Sequence, residues 1–155
     1  MTDTTTTRSI VVERTMPHPP EKIWRALTET SLIAEWLMDN DFEPRLGGRF
    51  QLRAKPMGNW NGLVDCEITA FEPPRRLVYT WKGGSVQNLG YGTALDSVVE
   101  WTLTAVAGGT LVRMEHAGFR PQNASAYETM SGGWPRVLER LEHVTGGQGQ
   151  TAAPR

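Results

Sequence analysis

Two amphipathic segments lie at opposite ends of this chain, and strand-like sequence fills the interval between them. The first runs from Pro20 to Leu37 and the second from Ser125 to Val144. The apolar stripe of a helix must be buried against another element, and the strands between the two segments offer a sheet for that purpose. The order predicts an α+β fold in which a long helix lies across a curved sheet. A cavity between helix and sheet would suit a small apolar molecule.

The length of the chain is that of one domain. Its 155 residues are enough to bury a substantial core. The threonine-rich start and the end, which is rich in Gly, Gln and Ala, carry too little apolar surface to pack. We therefore predict one folded domain over residues 8–145, with disordered tails at residues 1–7 and 146–155.

Charge and hydropathy exclude several classes of partner. The 16 Lys and Arg residues oppose 17 Asp and Glu, and no basic run is long enough to follow a phosphate backbone. No apolar stretch reaches membrane-spanning length, and the N-terminus lacks the pattern of a signal peptide. Cys66 has no mate for a disulfide within the chain, which indicates a reducing compartment or a buried thiol. We expect a cytoplasmic protein that binds neither nucleic acid nor a membrane.

One strand and two helices are predicted before the central strands. Residues 10–15 are rich in β-branched side chains and precede a proline cluster that cannot lie inside a strand. Pro20 then suits the first position of a helix with one apolar face. Thr30 or Ser31 is predicted to cap a second, short helix, and the turn-forming residues 39–41 to end it.

From about residue 42 to residue 116 the hydrophobic period changes to two, with glycine pairs where strands reverse. This pattern predicts an antiparallel meander. Because successive side chains of a strand point to opposite faces, the pattern also predicts which residues face the helix. The inner face is assigned to Gly62, Val64, Cys66, Ile68, Ala70, Leu77, Tyr79, Trp81, Val99, Trp101, Leu103, Val112, Met114 and His116.

The C-terminal segment has an apolar stripe that should lie over this sheet. Its members are Met130, Trp134, Val137, Leu138, Leu141 and Val144. Gly132, Gly133 and Pro135 interrupt the segment, since glycine is a weak helix former and proline removes a backbone hydrogen bond. We predict a kink or a two-part helix at this point.

Six short segments carry a family resemblance. They are Ile10–Thr15, Pro20–Leu27, Gly47–Phe50, Glu72–Trp81, His116–Phe119 and Gly132–Trp134. In this order they resemble the family of heat-shock protein 90 ATPase activator homologues, which belongs to the START-like, or SRPBCC, helix-grip superfamily. The resemblance implies the element order β-α-α-β(6)-α with the last helix gripped by the sheet. Leu37 departs from the pattern, because many relatives carry a second Trp directly after the one that matches Trp36.

The same resemblance implies a range of activities rather than one. The superfamily includes lipid carriers, hormone receptors and polyketide cyclases, and a fold does not determine a function. The eukaryotic activators that name the family also carry a separate chaperone-binding domain, which 155 residues do not accommodate. We therefore do not expect this chain to stimulate the chaperone ATPase directly.

No established catalytic or metal-binding motif occurs in the sequence. His18, His116 and His143 are scattered without metal-ligand spacing, and phosphate-binding and nucleophile-elbow motifs are lacking, so neither a metal nor a cofactor is expected. His116 is the one weak catalytic candidate, because strand parity places its ionisable ring among apolar neighbours. It would orient a ligand or transfer a proton, or it is a buried histidine whose nitrogens the protein satisfies.

Three hypotheses follow, and the first is favoured. A non-catalytic carrier or sensor would bind a hydrophobic small molecule or lipid in the helix–sheet cavity. The alternatives are an enzyme of the polyketide cyclase or dehydratase kind that uses His116, and a stress- or chaperone-associated interaction module that uses the loop residue Trp60. A homodimer through sheet edges or helix faces is possible in each case. The predicted ligand-binding residues are Trp36, Val64, Cys66, Tyr79, Trp81, Trp101, Met114, His116 and Trp134.

Overall fold

The computed structural model describes residues 7–55, 62–83 and 95–152, which form a seven-stranded antiparallel sheet and three α-helices. A single 3₁₀ turn at Pro121–Asn123 precedes the last helix. In chain order the elements are β1 (Arg8–Met16), α1 (Pro20–Thr28), α2 (Thr30–Trp36), β2 (Asp39–Asn40), β3 (Arg49–Arg53), β4 (Leu63–Glu72), β5 (Arg76–Gly83), β6 (Leu95–Val106), β7 (Gly109–Phe119) and α3 (Ala124–Ala152).

The sheet is a meander to which the first strand returns. Its strand order is β1-β7-β6-β5-β4-β3-β2, and all neighbours are antiparallel. Strands β2 to β7 are therefore sequential, while β1 lies beside β7 because the two helices connect it to the far edge of the sheet. The order β-α-α-β(6)-α confirms the helix-grip, START-like fold that the resemblance implies.

Of the two short helices, only α2 differs from its predicted capping, and both bury apolar residues as predicted. Helix α1 begins at Pro20, as predicted, and buries its apolar face. Helix α2 begins at Thr30, one or two residues earlier than a cap at Thr30 or Ser31 requires. The extended Glu29 is its N-cap and offers only its backbone carbonyl to the first turn. The segment at residues 39–40 is more than a turn, since it pairs with β3 as the edge strand β2.

The alternation predicted for the central strands is confirmed. Every residue assigned to the inner face of β5, β6 and β7 is buried, as are Val64, Cys66 and Ile68 of β4. A register irregularity between Ile68 and Ala70 breaks the alternation, which leaves Ala70 half-buried. Strand parity therefore determines which side chains the sheet turns toward the helix.

Helix α3 lies over the concave face and is continuous. It passes through Pro135 without a break, so the two-part helix is not found. Proline removes one backbone hydrogen bond, whereas Trp134 and Leu138 on either side are held by burial in the core. The backbone stays helical to Ala152, beyond the predicted start of the tail at residue 146. None of the helices in the described ranges is long and apolar enough to cross a bilayer.

Candidate functional site

An apolar groove lies where helix α3 meets the segment after α2 and strand β5. Its volume is about 170 Å³. Of the described residues that line it, none carries a charge. We refer to this space as the groove, and its lining residues are Leu37, Met38, Trp81, Thr129, Met130, Gly133, Trp134 and Val137.

Helical spacing explains the α3 side of the groove. Gly133, Trp134 and Val137 follow Met130 by three, four and seven residues, so these positions lie on one face of the helix. Gly133 contributes open space rather than a side chain. An added Cβ at this position would meet no atom of the described chain within 4 Å, apart from the neighbouring helix backbone.

Behind the groove, aromatic side chains fill the interior between helix and sheet. The ring centroids of Trp81 and Trp134 are 5.7 Å apart, those of Trp101 and Trp134 6.0 Å, and those of Trp36 and Trp101 5.5 Å, each pair edge to face. Such contacts stabilise a core beyond the burial of area. Among the described residues, these indoles occupy the middle of the interior, and the groove lies at its margin.

His116 is fully buried and both of its ring nitrogens are engaged. The indole Nε1–H of Trp134 donates to Nδ1 at 3.1 Å, and Nε2 lies 2.7 Å from the hydroxyl of Ser97. The Ser97 hydroxyl donates to the backbone carbonyl of Trp81 at 2.9 Å. Because an indole can only donate, Nδ1 must accept, so the neutral ring carries its proton on Nε2 and donates it to Ser97.

Burial makes this histidine a weak base. Removal from water lowers the pKa of His116 to about 3, because no described group compensates a charged ring. A second proton would also place an N–H on Nδ1, opposite the N–H of Trp134. The arrangement therefore holds a neutral imidazole, and a proton transfer would first require one of its hydrogen bonds to open.

Two other predicted polar candidates are buried in the same interior. The Tyr79 hydroxyl accepts a hydrogen bond from Trp101 Nε1 at 3.0 Å, and burial raises its pKa above the ordinary value for a phenol. Burial also raises the pKa of the Cys66 thiol, and the nearby Asp65 adds to the effect. Both groups stay neutral at physiological pH, so neither supplies a nucleophile.

The structure brings together only part of the predicted ligand-binding set. Trp81 and Trp134 line the groove. Trp60, which was predicted separately as the loop residue of an interaction module, lies outside the described residues. The other predicted residues are buried in the core without lining the groove: Trp36, Val64, Cys66, Tyr79, Trp101, Met114 and His116.

Several residues at this site had not been identified from the sequence. Met38 and Thr129 line the groove, and Ser97 orients His116. A signal for Ser97 was available, since extending the β6 alternation two residues back from Val99 places a hydroxyl on an otherwise apolar face. No comparable signal exists for Met38, which follows α2 and reaches the groove only through the turn of the chain.

A second, polar cleft lies between β1 and the C-terminal half of α3. Arg14 and Glu142 form an ion pair across it at 2.6 Å, and His18 and His143 lie nearby. Within the described ranges, no three His, Cys, Asp or Glu side chains are arranged to hold a metal ion. Arg14 and Glu142 neutralise each other and Glu139 adds a carboxylate to the lining, so this cleft is the weaker candidate for an apolar ligand.

Comparison with known proteins places the chain in a family. The family model described as activator of Hsp90 ATPase homolog 1-like protein matches residues 17–146. No curated protein matches the chain. The structure of protein MLL2253 from Mesorhizobium loti is similar, with 47% sequence identity and a TM-score of 0.80 over 88% of this chain and 96% of that chain.

Two further solved structures are similar at lower identity. Protein BH1534 from Bacillus halodurans shares 26% identity, with a TM-score of 0.71 over 89% of this chain and 96% of that one. CalU16 from Micromonospora echinospora shares 28% identity, with a TM-score of 0.69 over 94% of this chain and 80% of that one.

Proposed function

We propose that this chain, which belongs to the family of activator of Hsp90 ATPase homolog 1-like proteins, is a non-catalytic carrier or sensor that binds a small hydrophobic molecule in the groove. The observation that carries the proposal is the apolar groove itself, with a volume of about 170 Å³ between two indoles and α3. An uncharged apolar recess recognises an apolar ligand by excluding water from both surfaces.

The volume limits the part of the ligand that the groove encloses. Drug-sized ligands occupy pockets of about 300–1,000 Å³, whereas a protein cavity of about 150 Å³ accommodates benzene. The groove is close to the smaller value. It therefore fits one ring or a short alkyl chain, and a complete lipid would need the surrounding helices to separate.

The state of His116 supports a carrier over an enzyme. The cyclase-like alternative needs a group that exchanges protons with the ligand, but His116 is fully buried, uncharged and hydrogen-bonded at both nitrogens. Thr129 is the one hydroxyl among the described lining residues, and it lies exposed at the rim. The stress- or chaperone-associated module, the homodimer and the cytoplasmic location stay predictions.

A matched pair of helix variants tests the proposal. Gly133→Leu fills the groove, while Gly132→Leu makes the same change one residue away, on an exposed position outside the lining. Neither added Cβ meets another described atom within 4 Å outside the neighbouring helix backbone, and both variants exchange glycine for a better helix former. Both should therefore fold.

The probe is ethylbenzene, and binding is followed by NMR of the methionine methyl groups and the indole N–H groups. Saturable shifts at Met38, Met130, Trp81 and Trp134 are expected for the wild type and Gly132→Leu, with roughly tenfold or weaker binding in Gly133→Leu. Mass spectrometry of compounds recovered from a cell extract should show bound molecules that are unchanged. Equal binding by both leucine variants would refute the groove as the site, and conversion of extract compounds would favour the enzyme.

A further inference from the structure

We propose that the middle of helix α3, residues 128–137, is a lid over the groove, and that the hydrogen bond from Trp134 to His116 is the latch that holds this lid closed. The inference rests on the proposed function and adds the size class of the ligand. A one-ring molecule binds with the lid closed, whereas an uncharged apolar molecule with a two-ring body binds by opening it.

The parts of α3 on either side of the lid have attachments of their own. On the C-terminal side, Leu138 is buried in the core and Glu142 forms an ion pair with Arg14 of β1 at 2.6 Å. On the N-terminal side, the ring of Tyr127 packs edge to face against Phe119 of β7, with centroids 5.4 Å apart. These contacts hold both ends of the helix on the sheet while the segment between them moves.

A single buried side chain attaches the lid to the interior. Of residues 128–137, all of which the structure describes, only Trp134 is buried, while Met130 and Val137 are half-buried at the margin of the core. The indole N–H of Trp134 donates to Nδ1 of His116 at 3.1 Å, and this is the direct hydrogen bond from the lid to the sheet. Breaking the latch therefore releases the main attachment of the lid.

The helix backbone is weakest beside the latch. Gly132 and Gly133 precede Trp134, and glycine disfavours a helix interior. Pro135 follows it and cannot donate the helical hydrogen bond to the carbonyl of Ser131. An added Cβ at either glycine would meet no described atom within 4 Å outside the neighbouring helix backbone, so close packing does not require glycine at these positions. Bending here is a local opening that leaves the rest of α3 in place.

Opening the latch would enlarge the groove toward the interior. The ring of Trp134 lines the groove, and it also contacts Trp101 and the buried His116, neither of which lines the groove. The closed groove of about 170 Å³ accepts one ring, and the space that the bicyclic indole leaves would accept a second. Because no described lining residue carries a charge, the ligand that takes this space is uncharged.

Two probes of different size test the lid, together with two matched variants. Ethylbenzene and 2-ethylnaphthalene carry the same substituent, and only the second has a two-ring body. In Trp134→3-benzothienylalanine a sulfur replaces the N–H, so the latch is lost while the bicyclic shape is kept. The control, Trp101→3-benzothienylalanine, loses an N–H that donates to Tyr79 from a ring that does not line the groove.

The first measured quantity is the ratio of the two dissociation constants. Loss of the latch should strengthen 2-ethylnaphthalene relative to ethylbenzene by roughly three- to tenfold, which corresponds to one net hydrogen bond, while the Trp101 variant keeps the wild-type ratio. The second is the NMR coupling between Nε1 of Trp134 and Nδ1 of His116 in the wild-type protein. It should persist with ethylbenzene and disappear with 2-ethylnaphthalene, and it decides the question even if a variant fails to fold.

The outcomes distinguish the lid from the proposed function. The lid is wrong if the two variants share one ratio, if the coupling persists when 2-ethylnaphthalene saturates the protein, or if 2-ethylnaphthalene binds none of the three proteins. Binding of ethylbenzene that depends on Gly133 would still support the groove as the ligand site in each of these cases. If neither probe binds any of the proteins, both the lid and the proposed function are overturned.

Discussion

The indole N–H of Trp134 donates to Nδ1 of His116 at 3.1 Å, and this hydrogen bond joins helix α3 to strand β7. It also determines the tautomer of the ring, since Nδ1 must accept and Nε2 must carry the proton that is donated to Ser97. The same indole forms part of the groove wall. The packing of the helix on the sheet and the shape of the groove therefore depend on a histidine that stays neutral.

This neutrality predicts a pH dependence of stability. The pKa of His116 is about 3 in the folded protein and near 6.5 when unfolded, so between these values the unfolded chain binds the additional proton. The contribution is complete above pH 6.5 and is lost as the pH falls toward 3. We expect the free energy of unfolding from urea denaturation to fall by up to about 1.4 kcal/mol per pH unit in this window.

The control for this prediction is His116→Gln, measured over the same pH range. The pKa of His18 is also lowered, by burial and by the nearby Lys22, and it contributes to the pH dependence in the same direction in both proteins. The difference between the two profiles therefore isolates His116. Parallel profiles for wild type and variant would show that this ring does not carry the effect.

The hydroxyl of Ser97 is expected to stabilise the fold although it is only a small side chain. Ser97→Ala removes the acceptor for the His116 Nε2–H and leaves that donor unsatisfied in a buried site. We predict a loss of about 1–3 kcal/mol in the free energy of unfolding. Thr104→Ala, on the exposed face of the same strand, should change it by no more than about 0.5 kcal/mol. Equal effects would mean that the Ser97 contact contributes nothing.

The thiol of Cys66 is predicted to be unreactive in the folded protein. Burial raises its pKa, so almost no thiolate forms at pH 8, and the side chain is 5% exposed. Iodoacetamide should label the protein only as fast as it unfolds, and completely in urea. An introduced Ser31→Cys thiol, at an exposed position of α2, provides the comparison. Labelling of both thiols at similar rates in the native protein would contradict the prediction.

Substitutions at the two adjacent glycines of the turn between β6 and β7 are predicted to lower stability by different amounts. A Cβ on Gly109 would collide with the backbone carbonyl oxygen of Met16, so Gly109→Ala must displace strand β1. We expect a loss of about 3 kcal/mol in thermal or urea unfolding. Gly108 has φ +84° and open space around it, and Asn tolerates that backbone region, so Gly108→Asn should lower stability by less than about 1 kcal/mol. The reverse ranking would refute the strand pairing.

Local periodicity predicted much of this fold correctly. Side chains alternate across a strand regardless of what lies above the sheet, so the buried positions of Val64, Trp101 and Met114 could be derived from spacing alone. The same reasoning placed His116 on the inner face. It could not show that Trp134 and Ser97 would engage both nitrogens, because those residues come from α3 and β6, elements whose register against β7 is a property of the folded chain.

The sequence by itself determined the element order, the inward faces of the strands and the apolar stripe of the last helix, since each depends on residues close together in the chain. Only the tertiary structure decided that indoles from α2, β5, β6 and α3 pack edge to face in the interior, and that open space remains beside Gly133. Free volume and hydrogen-bond partners arise from the packing of distant segments, and no local pattern records how closely those segments fit.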